Sequence, residues 1–373
     1  MSEGRSRLRI QLFPRAETAV RRGHPWVYGE SVKSQNREGD AGELAVMYDR
    51  NDRFLAVGLY DPSSPIRLRI VHFGKPANID RDWWLTKARG CLSRREEVVL
   101  NERTNGARMI NGESEGFPGL VADRYADTLV VKLYTAAWLP RWGEMEGVLR
   151  EVLSPRYLVL RMSRNIQEEA SQRWGLEEGF RGETGAEVVV FSENGIRFEA
   201  AVLHGQKTGF FLDQRDNRAR VEELSAGRDV LNVFSFSGGF SLYAARGGAK
   251  SVTDLDISAH ALESAARNFQ LNEDDARIAN VPREMVRADA FKWMDENPRP
   301  YHLIVVDPPS LAKREKEREG AIRAYQRLNA RAIERLRPGG ILVAASCSAH
   351  VAPAEFFELV RNAAQRSGRR WCE

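Results

Sequence analysis

The chain has 373 residues, of which 42% are hydrophobic and 29% charged, with a net charge of +4 and a pI near 9.0. This balance excludes a disordered or fibrous protein. No apolar run approaches the roughly 18 residues of a membrane span. The three cysteines, Cys91, Cys347 and Cys372, lack paired spacing, which excludes a disulfide framework or a cysteine-based zinc site. We expect a cytoplasmic protein of two or three domains that holds no metal and in which any special cysteine is a reactive thiol.

Residues 1–75 form the first predicted domain. The stretches LRIQLF, GELAVMYD, FLAVGLYD and IRLRIVHF alternate in polarity and are separated by turn dipeptides such as Asp61-Pro62, which is typical of a small β-barrel. This segment has 13 basic and 9 acidic residues and so carries the whole net charge. Its basic character favours contact with a polyanion.

Residues 76–194 form the second predicted domain, of α+β type. A helical stretch spans about 83–100, strands are predicted at LVVKLY and YLVLRM, and a helix over 140–153 lies between those strands.

Residues 195–373 alternate buried strands with amphipathic helices. DVLNVFS, SVTDLD, MVRA, HLIVVD and GGILVAAS are the predicted strands, and AHALESAARNFQLN and IRAYQRLNARAIERL are two of the helices. The pattern predicts an α/β, Rossmann-like, doubly wound and mostly parallel sheet.

The turn after the first of these strands is a candidate cofactor loop. Adjacent glycines let backbone N–H groups approach a ligand closely, and an acidic residue about 20 positions later can bind a ribose. Asp256 ends the second strand at that distance, with Asp254 as the alternative, although the strand's alternation points Asp254 elsewhere. The loop residues are Phe236, Ser237, Gly238 and Gly239.

Asp289 follows the third strand and has two interpretations. Its carboxylate could accept a hydrogen bond from an adenine amino group, or it could cap the helix that begins with AFKWM. Both can hold at once.

The fourth and fifth strands end in chemically unusual residues. Asp307, Pro308, Pro309 and Ser310 follow the fourth strand, and Cys347 follows the fifth. Neighbouring parallel strands end at one crevice, so we expect Cys347 to lie near Asp307. Taken alone, a lone cysteine at such a position is usually an inert packing residue.

Several motifs resemble one family in the same order. HGQKTGFFLDQRDNR at 204–218, LNVFSFSGGFSL, VVDPPSLAKR and GGILVAASCS are similar to the motifs of the ribosomal RNA cytosine-C5 methyltransferases of the RlmI (YccW) type. RGHPWVYGESV and INGESEGFPGLVADRY resemble that family's N-terminal PUA domain and middle domain. The resemblance implies a class I methyltransferase fold, S-adenosylmethionine (SAM) as cofactor, and large-subunit ribosomal RNA as partner.

The resemblance also implies roles for individual residues. Cys347 would attack C6 of the cytosine, and Asp307 would stabilise the covalent adduct. Asp307 and Pro308 are also expected to be among the residues that bind the cofactor. The strip that would close over SAM consists of Lys207, Thr208, Gly209, Phe210, Asp213, Gln214 and Arg215.

The chain differs from the family's pattern at its end. Two antiparallel strands normally complete such a sheet after the helix predicted at 353–365, whereas this sequence stops at RRWCE. We therefore expect the C-terminal strands to be missing.

The residues leave two other functions open. An exocyclic amino-group methyltransferase acting on N6 of adenine or N2 of guanine also has Pro-Pro after a polar residue, but the next position is usually aromatic and is Ser310 here. A non-catalytic ribosome-assembly factor could retain the same fold. Oligomeric state is left open, with a homodimer as one option.

A basic stripe is a candidate RNA contact. Arg323, Arg327, Arg331 and Arg335 recur every four residues and would share one helix face. They could bind phosphates, or pair with acidic side chains such as Glu319 and Glu334 on a solvated surface.

Overall fold

The computed structural model describes residues 6–312 and 314–373. They fold as two compact units. Unit 1 comprises the described residues up to Gly195 together with Ala200–Leu212, and unit 2 comprises Ile196–Glu199 and the described part of Asp213–Glu373. Among the described residues, no helix combines the length and the apolar character that crossing a membrane requires.

The first sheet of unit 1 has six strands in the order β2-β6-β5-β4-β1-β3. All neighbours are antiparallel except β1 and β4, which are parallel. The four predicted strands are confirmed as β1, β4, β5 and β6. The remaining helix and two short strands were not predicted. In chain order the elements are β1 (Arg9–Leu12), α1 (Pro14–Arg21), β2 (Trp26–Tyr28), β3 (Val32–Gln35), β4 (Leu44–Tyr48), β5 (Phe54–Tyr60) and β6 (Ile66–Phe73).

The second sheet of unit 1 has the order β11-β10-β9-β8-β7. The predicted helices and strands of this region are present. Its elements are α2 (Arg81–Val98), β7 (Gly106–Asn111), β8 (Leu120–Tyr125), β9 (Thr128–Leu133), α3 (Trp142–Leu153), β10 (Tyr157–Met162), α4 (Arg164–Trp174) and β11 (Gly179–Phe180).

One hydrophobic core extends through both sheets of unit 1. Trp84 and Trp138 lie fully buried at its centre, and their rings meet edge to face with centroids 5.3 Å apart. The same cluster includes Val57 and Leu59 of β5. The two sheets share this core, so they do not separate into independent cores at residues 75 and 76. The predicted division into a domain of residues 1–75 and a domain of residues 76–194 stays a prediction.

Unit 2 contains a five-stranded sheet in the order β16-β15-β14-β17-β18, with every pair parallel. The predicted doubly wound parallel sheet is confirmed. Strand β12 (Val188–Glu193) belongs to unit 1, and β13 (Ile196–Ala201) begins in unit 2 and ends in unit 1. The elements of unit 2 after these are α5 (Arg215–Glu223), β14 (Asp229–Val233), α6 (Gly239–Arg246), β15 (Ser251–Asp256), α7 (Ala259–Gln270), α8 (Ala276–Ala279), β16 (Arg283–Arg287), α9 (Ala290–Glu296), β17 (Tyr301–Val306), α10 (Arg318–Glu334), β18 (Leu336–Ala344) and α11 (Pro353–Arg366).

Strand β17 of the unit 2 sheet is covered on both faces. On β17, Leu303 and Val305 belong to one hydrophobic cluster, whereas Ile304 and Val306 belong to the cluster on the opposite face. A strand that is covered on both sides reads as a continuous apolar run, which is why HLIVVD was recognisable in the sequence. Within the described residues, α11 is the last regular element of this unit.

Candidate active site and cofactor site

The predicted site residues of unit 2 lie at one edge of its sheet, where β14, β15, β17 and β18 end. The strand register aligns these ends, because Val233 pairs with Leu255 and Val306, and Val306 pairs with Ala344. Open α/β sheets bind ligands in the crevice outside the carboxyl ends of their strands. The segments that follow the four strands therefore share one candidate site.

The loop after β14 has an unusual backbone. Phe234, Phe236 and Gly238 have left-handed φ angles of 62°, 48° and 74°. Bulky side chains rarely adopt this conformation, which costs on the order of 1–3 kcal/mol per residue. The Leu255 carbonyl oxygen holds the loop by accepting hydrogen bonds from the amides of Phe234 (2.8 Å) and Ser235 (3.1 Å). Such strain concentrates at ligand sites, so this loop is a candidate for binding.

Helix α7 packs against this loop. A Cβ atom added to Gly238 would lie 3.0 Å from Cβ of Ala265, so glycine suits both the φ angle and the spacing. The buried Asn268 donates from Nδ2 to the carbonyl oxygen of Ser237 at 2.9 Å. Helix α7 thus fixes the loop backbone that was predicted to face the cofactor.

Asp256 is held at the end of β15 with acceptor capacity remaining. Its two carboxylate oxygens accept hydrogen bonds from the amides of Phe236 and Ser258, both at 2.9 Å. Each oxygen has a second lone pair for a ligand hydroxyl. The alternative, Asp254, is fully buried and accepts a hydrogen bond from Ser241. Burial denies Asp254 access to a ligand, as the strand's alternation indicated.

Asp289 is the N-cap of α9. Its Oδ1 accepts a hydrogen bond from the amide of Lys292 at 2.9 Å. The capping interpretation is therefore confirmed. Asp289 is also exposed and so accessible to a ligand. Its contact with an adenine stays a prediction.

Asp307 is oriented by a chain of two amides. Gln214 donates from Nε2 to Asp307 Oδ2 at 2.9 Å, and Asn217 donates from Nδ2 to Gln214 Oε1 at 2.6 Å. The bond from Asn217 determines which end of the Gln214 amide faces Asp307. Gln214, which the family resemblance assigned to SAM, therefore also positions the predicted catalytic carboxylate.

Cys347 is an exposed thiol three residues beyond the end of β18. Its Sγ lies 3.7 Å from the carbonyl oxygen of Pro308, which places it beside the segment that follows β17, as expected from the sequence. In contrast, Cys91 is buried, and desolvation raises the pKa of its thiol. The exposure of Cys347 makes it unlike a packing residue.

A buried hydroxyl network flanks Cys347, and the sequence did not reveal it. Tyr325 of α10 is fully buried, and its hydroxyl contacts Ser346 Oγ at 2.9 Å and Ser348 Oγ at 2.8 Å. Ser348 Oγ also accepts a hydrogen bond from the amide of Leu311 at 3.0 Å. The network thus ties the residues on both sides of Cys347 to the segment after β17. The pair of serines around the cysteine was its only local sign.

The strip at 204–218 is divided between the two units. In unit 1, Thr208 is buried and contacts Asp123 Oδ2 at 2.5 Å and the Tyr125 hydroxyl at 2.8 Å. Phe210 is also buried, and its amide donates to the same hydroxyl at 3.1 Å. Lys207 has a left-handed φ of 52°. Packing in unit 1 accounts for the side chains of Thr208 and Phe210, and their contact with SAM stays a prediction.

The other part of the strip begins unit 2. Asp213 is exposed, Gln214 contacts Asp307 as described, and Arg215 pairs with Asp216 at 2.9 Å. The cofactor roles predicted for these three residues, for Gly209 in unit 1 and for Pro308 also stay predictions.

The predicted basic stripe on α10 is largely neutralised. Arg327 and Arg331 both pair with Asp295 of α9, and Arg335 donates to backbone carbonyls at the end of α9. Arg323 lies 3.8 Å from Glu319. These contacts favour the structural interpretation of the stripe over phosphate binding.

Two known families match the chain. Residues 155–368 match the family described as S-adenosylmethionine-dependent methyltransferase, and residues 10–73 match the PUA-like domain. The first match spans more than half of the chain and includes the whole unit 2 sheet.

The chain is also similar to curated proteins over nearly its full length. It is 56% identical to a ribosomal RNA large subunit methyltransferase of Deinococcus radiodurans, covering 98% of this chain and 90% of that protein. It is 34% identical to ribosomal RNA large subunit methyltransferase I of Aeromonas salmonicida, covering 96% and 90%. Among solved structures, the methyltransferase SMU.776 in complex with SAH superposes with a TM-score of 0.78 at 23% identity, over 95% of this chain and 90% of that one. This last likeness shows the fold alone.

Proposed function

The chain belongs to the family of S-adenosylmethionine-dependent methyltransferases, and from this premise we propose that it methylates C5 of a cytosine in large-subunit ribosomal RNA in the cytoplasm. The names of its relatives support the RNA substrate, and the PUA-like match at residues 10–73 supports RNA binding. The observation that carries the cytosine-C5 chemistry is the exposed thiol of Cys347, which lies beside the carbonyl oxygen of Pro308, the residue after Asp307.

The crevice of unit 2 suits SAM. The loop after β14 has the left-handed backbone and adjacent glycines that suit a close approach of backbone to a ligand, and Asp256 keeps acceptor capacity for a ribose hydroxyl. Asp289 would contact the adenine, and Pro308 would border the methionine end. When bound, SAM supplies an electrophilic methyl group on its sulfonium. The strip residues Lys207, Thr208, Gly209, Phe210, Asp213, Gln214 and Arg215 complete the proposed cofactor set.

Cys347 is the proposed nucleophile that activates C5 of cytosine. C5 of cytosine is a weak nucleophile, and attack of the Cys347 thiolate on C6 forms an S–C6 bond that turns the ring into an enamine with a nucleophilic C5. C5 would then form a bond to the methyl group as its bond to the sulfonium breaks, with S-adenosylhomocysteine as the leaving group, and C5 would afterwards lose its proton to a base. That electron pair reforms the C5–C6 double bond and expels the thiolate, which regenerates Cys347.

Asp307 stabilises the adduct. Its carboxyl group, held by Gln214 at 2.9 Å, hydrogen-bonds the polar edge of the cytosine and favours the charge distribution of the enamine. The carbonyl oxygen of Pro308, 3.7 Å from Sγ, limits where the thiol can lie. Ser310 occupies the position at which amino-group methyltransferases usually have an aromatic residue, which further favours C5 over an exocyclic nitrogen.

The test is methyl transfer from labelled SAM to unmodified large-subunit ribosomal RNA, followed by identification of the modified nucleoside. We expect 5-methylcytosine from the wild type and a loss of at least about 10³-fold with Cys347→Ala, because the nucleophile is gone. Cys372→Ala is the matched control, since Cys372 is also exposed, and it should retain activity.

Other products would contradict the proposal in distinct ways. Methylation of an exocyclic nitrogen, or transfer that survives Cys347→Ala, would replace the covalent mechanism with amino-group methylation. SAM binding without transfer to any ribosomal RNA would indicate a non-catalytic factor.

A further inference from the structure

Two cations lie side by side on the second sheet of unit 1. Lys132 of β9 and Arg161 of β10 are register partners across parallel strands. The residues flanking them in sequence, including Val131 and Leu160, belong to the core on the opposite face. Both side chains therefore project from the same face of the sheet, away from the helices. We refer to Lys132 and Arg161 as the cationic pair.

The cationic pair has no counter-charge in the described part of the chain. Neither group forms an ion pair with a carboxylate of the described residues. Lys132 Nζ donates to the carbonyl oxygen of Lys207 at 3.2 Å, and the Nη1 atom of Arg161 is buried without a hydrogen-bond partner. Glu178 is the acidic group that influences both, but its oxygens accept from the amide of Met162 (2.5 Å) and the side chain of Gln167 (3.0 Å).

Like charges on adjacent strands destabilise a sheet. Desolvation lowers the pKa of Lys132, and Arg161 lowers it further. Desolvation also lowers the pKa of Arg161. Both cations are thus held in a place that disfavours their charge, and a bound anion would relieve this cost.

Aromatic surface adjoins the cationic pair. The Nζ of Lys132 lies 5.5 Å from the ring centroid of Tyr134, which is 42% exposed. Tyr134 also lines a pocket of about 370 Å³ together with Trp26 and Lys207. An exposed ring beside cations is the combination that binds single-stranded nucleic acid, by stacking a base and neutralising a phosphate.

The acidic groups near this pocket are already engaged. Asp123 pairs with Arg108 at 2.9 Å and accepts from Thr208. Glu113 accepts hydrogen bonds from the indole of Trp26 at 2.9 Å and from Arg69 at 3.3 Å. The pocket's carboxylates therefore have partners of their own, whereas neither member of the cationic pair forms an ion pair with a carboxylate of the described residues.

We propose that the cationic pair binds the backbone phosphates of a single-stranded RNA segment, with a neighbouring base stacked on Tyr134. This inference rests on the proposed function, because it takes the substrate to be RNA. It adds a substrate-binding surface in the middle of unit 1, outside residues 10–73 that match the PUA-like domain.

The test measures the affinity of the full chain for an unmodified single-stranded fragment of large-subunit ribosomal RNA between about 50 and 300 mM salt. For Lys132→Gln/Arg161→Gln we expect roughly tenfold or greater weakening at low salt, because charged hydrogen bonds to phosphate are lost. The slope of log K against log salt should fall by about 1.4 in magnitude if two contacts are lost.

Arg156→Gln/Arg173→Gln is the matched control. It removes the same charge from unit 1 at two exposed side chains that have glutamate partners at 3.3 and 3.8 Å, and it should leave the slope unchanged. Near-ultraviolet circular dichroism of the unit 1 tryptophans verifies that each variant is folded. Equal slopes for wild type and Lys132→Gln/Arg161→Gln, or equal losses in both double variants, would overturn the proposal.

Inorganic phosphate at millimolar concentration forms the second arm. If it stabilises the wild type but not Lys132→Gln/Arg161→Gln while both bind RNA equally, the pair binds a small free anion and the proposal fails. The two proposals fail separately. If the wild type transfers methyl groups but the salt slope is the same for wild type and Lys132→Gln/Arg161→Gln, only this inference is overturned. If the salt slope falls in Lys132→Gln/Arg161→Gln but no methyl group is transferred, only the proposed function is overturned.

Discussion

At the scale of single residues, the candidate active site depends on groups that do not react. Asp307 and Cys347 follow neighbouring strands and could be found from the sequence, because a polar residue at the end of a buried strand is conspicuous. Tyr325 could not be found in this way. It lies in α10, and only the packing of that helix brings its hydroxyl to Ser346 and Ser348.

Tyr325→Phe tests whether this hydroxyl positions Cys347. The change leaves two serine hydroxyls without their partner at a cost of about 1–3 kcal/mol. We expect kcat to fall about tenfold while KM for SAM stays unchanged, because the segment carrying Cys347 loses its fixed position. Steady-state kinetics gives both values, and the rate of Cys347 alkylation by a thiol reagent reports the altered position directly.

Tyr301→Phe is the control for Tyr325→Phe. Tyr301 is buried in the same unit and its hydroxyl contacts Thr253 at a marginal 3.5 Å. Unchanged alkylation in Tyr325→Phe, or an equal loss of kcat in Tyr301→Phe, would reduce Tyr325 to a structural role.

At the scale of elements, hydrophobic pattern predicted most strands and long helices of both units. The pattern did not predict several elements, namely α1, α4, α5, α8, β2, β3, β7, β8, β11, β12 and β13. Among them β2 and β3 have only three and four residues. Segments of this length contain too few residues to show a period. The loop after β14 was recognised by its glycines, but the left-handed backbone at Phe234 and Phe236 was not, since phenylalanine is normally excluded from that region.

Gly238→Ala tests the fit of that loop against α7. Gly238 and Gly227 both have left-handed φ angles, of 74° and 70°, but a Cβ would meet Ala265 only at Gly238 and nothing within 4 Å at Gly227. We expect Gly227→Ala to cost about 1 kcal/mol of unfolding free energy from backbone strain alone. Gly238→Ala should cost more and should also weaken SAM binding.

Denaturant unfolding and calorimetric titration with SAM measure these two effects. Equal destabilisation by both alanines, with SAM affinity unchanged, would show that the contact with α7 does not fix the cofactor loop.

At the scale of the whole molecule, the pH dependence of stability contains a contribution from Asp254. Burial raises the pKa of Asp254 from 3.8 to about 6, and its Oδ2 has no hydrogen-bond partner among the described residues. Because the folded pKa is higher than the unfolded one, the folded state binds more protons between these values. The contribution to stability is complete below pH 3.8 and is lost as pH rises through 6.

Asp254→Asn removes this titration. We expect the difference in unfolding free energy between wild type and variant to shift in favour of the variant by about 2 kcal/mol from pH 4 to pH 7, as the two pKa values imply. Denaturant unfolding at intervals of half a pH unit measures it. A difference that is constant with pH would mean that Asp254 has an ordinary pKa.

The sequence by itself determined the parallel sheet of unit 2, its strand ends, and the residues Asp256, Asp307 and Cys347 at those ends. This was possible because alternation, apolar runs and turn residues are properties of short segments. Tertiary structure decided the Tyr325 network, the anchoring of Thr208 on Asp123, the neutralisation of the stripe on α10, and the juxtaposition of Lys132 and Arg161. These contacts join residues far apart in the chain, and their existence depends on strand register and helix packing, which no local pattern specifies.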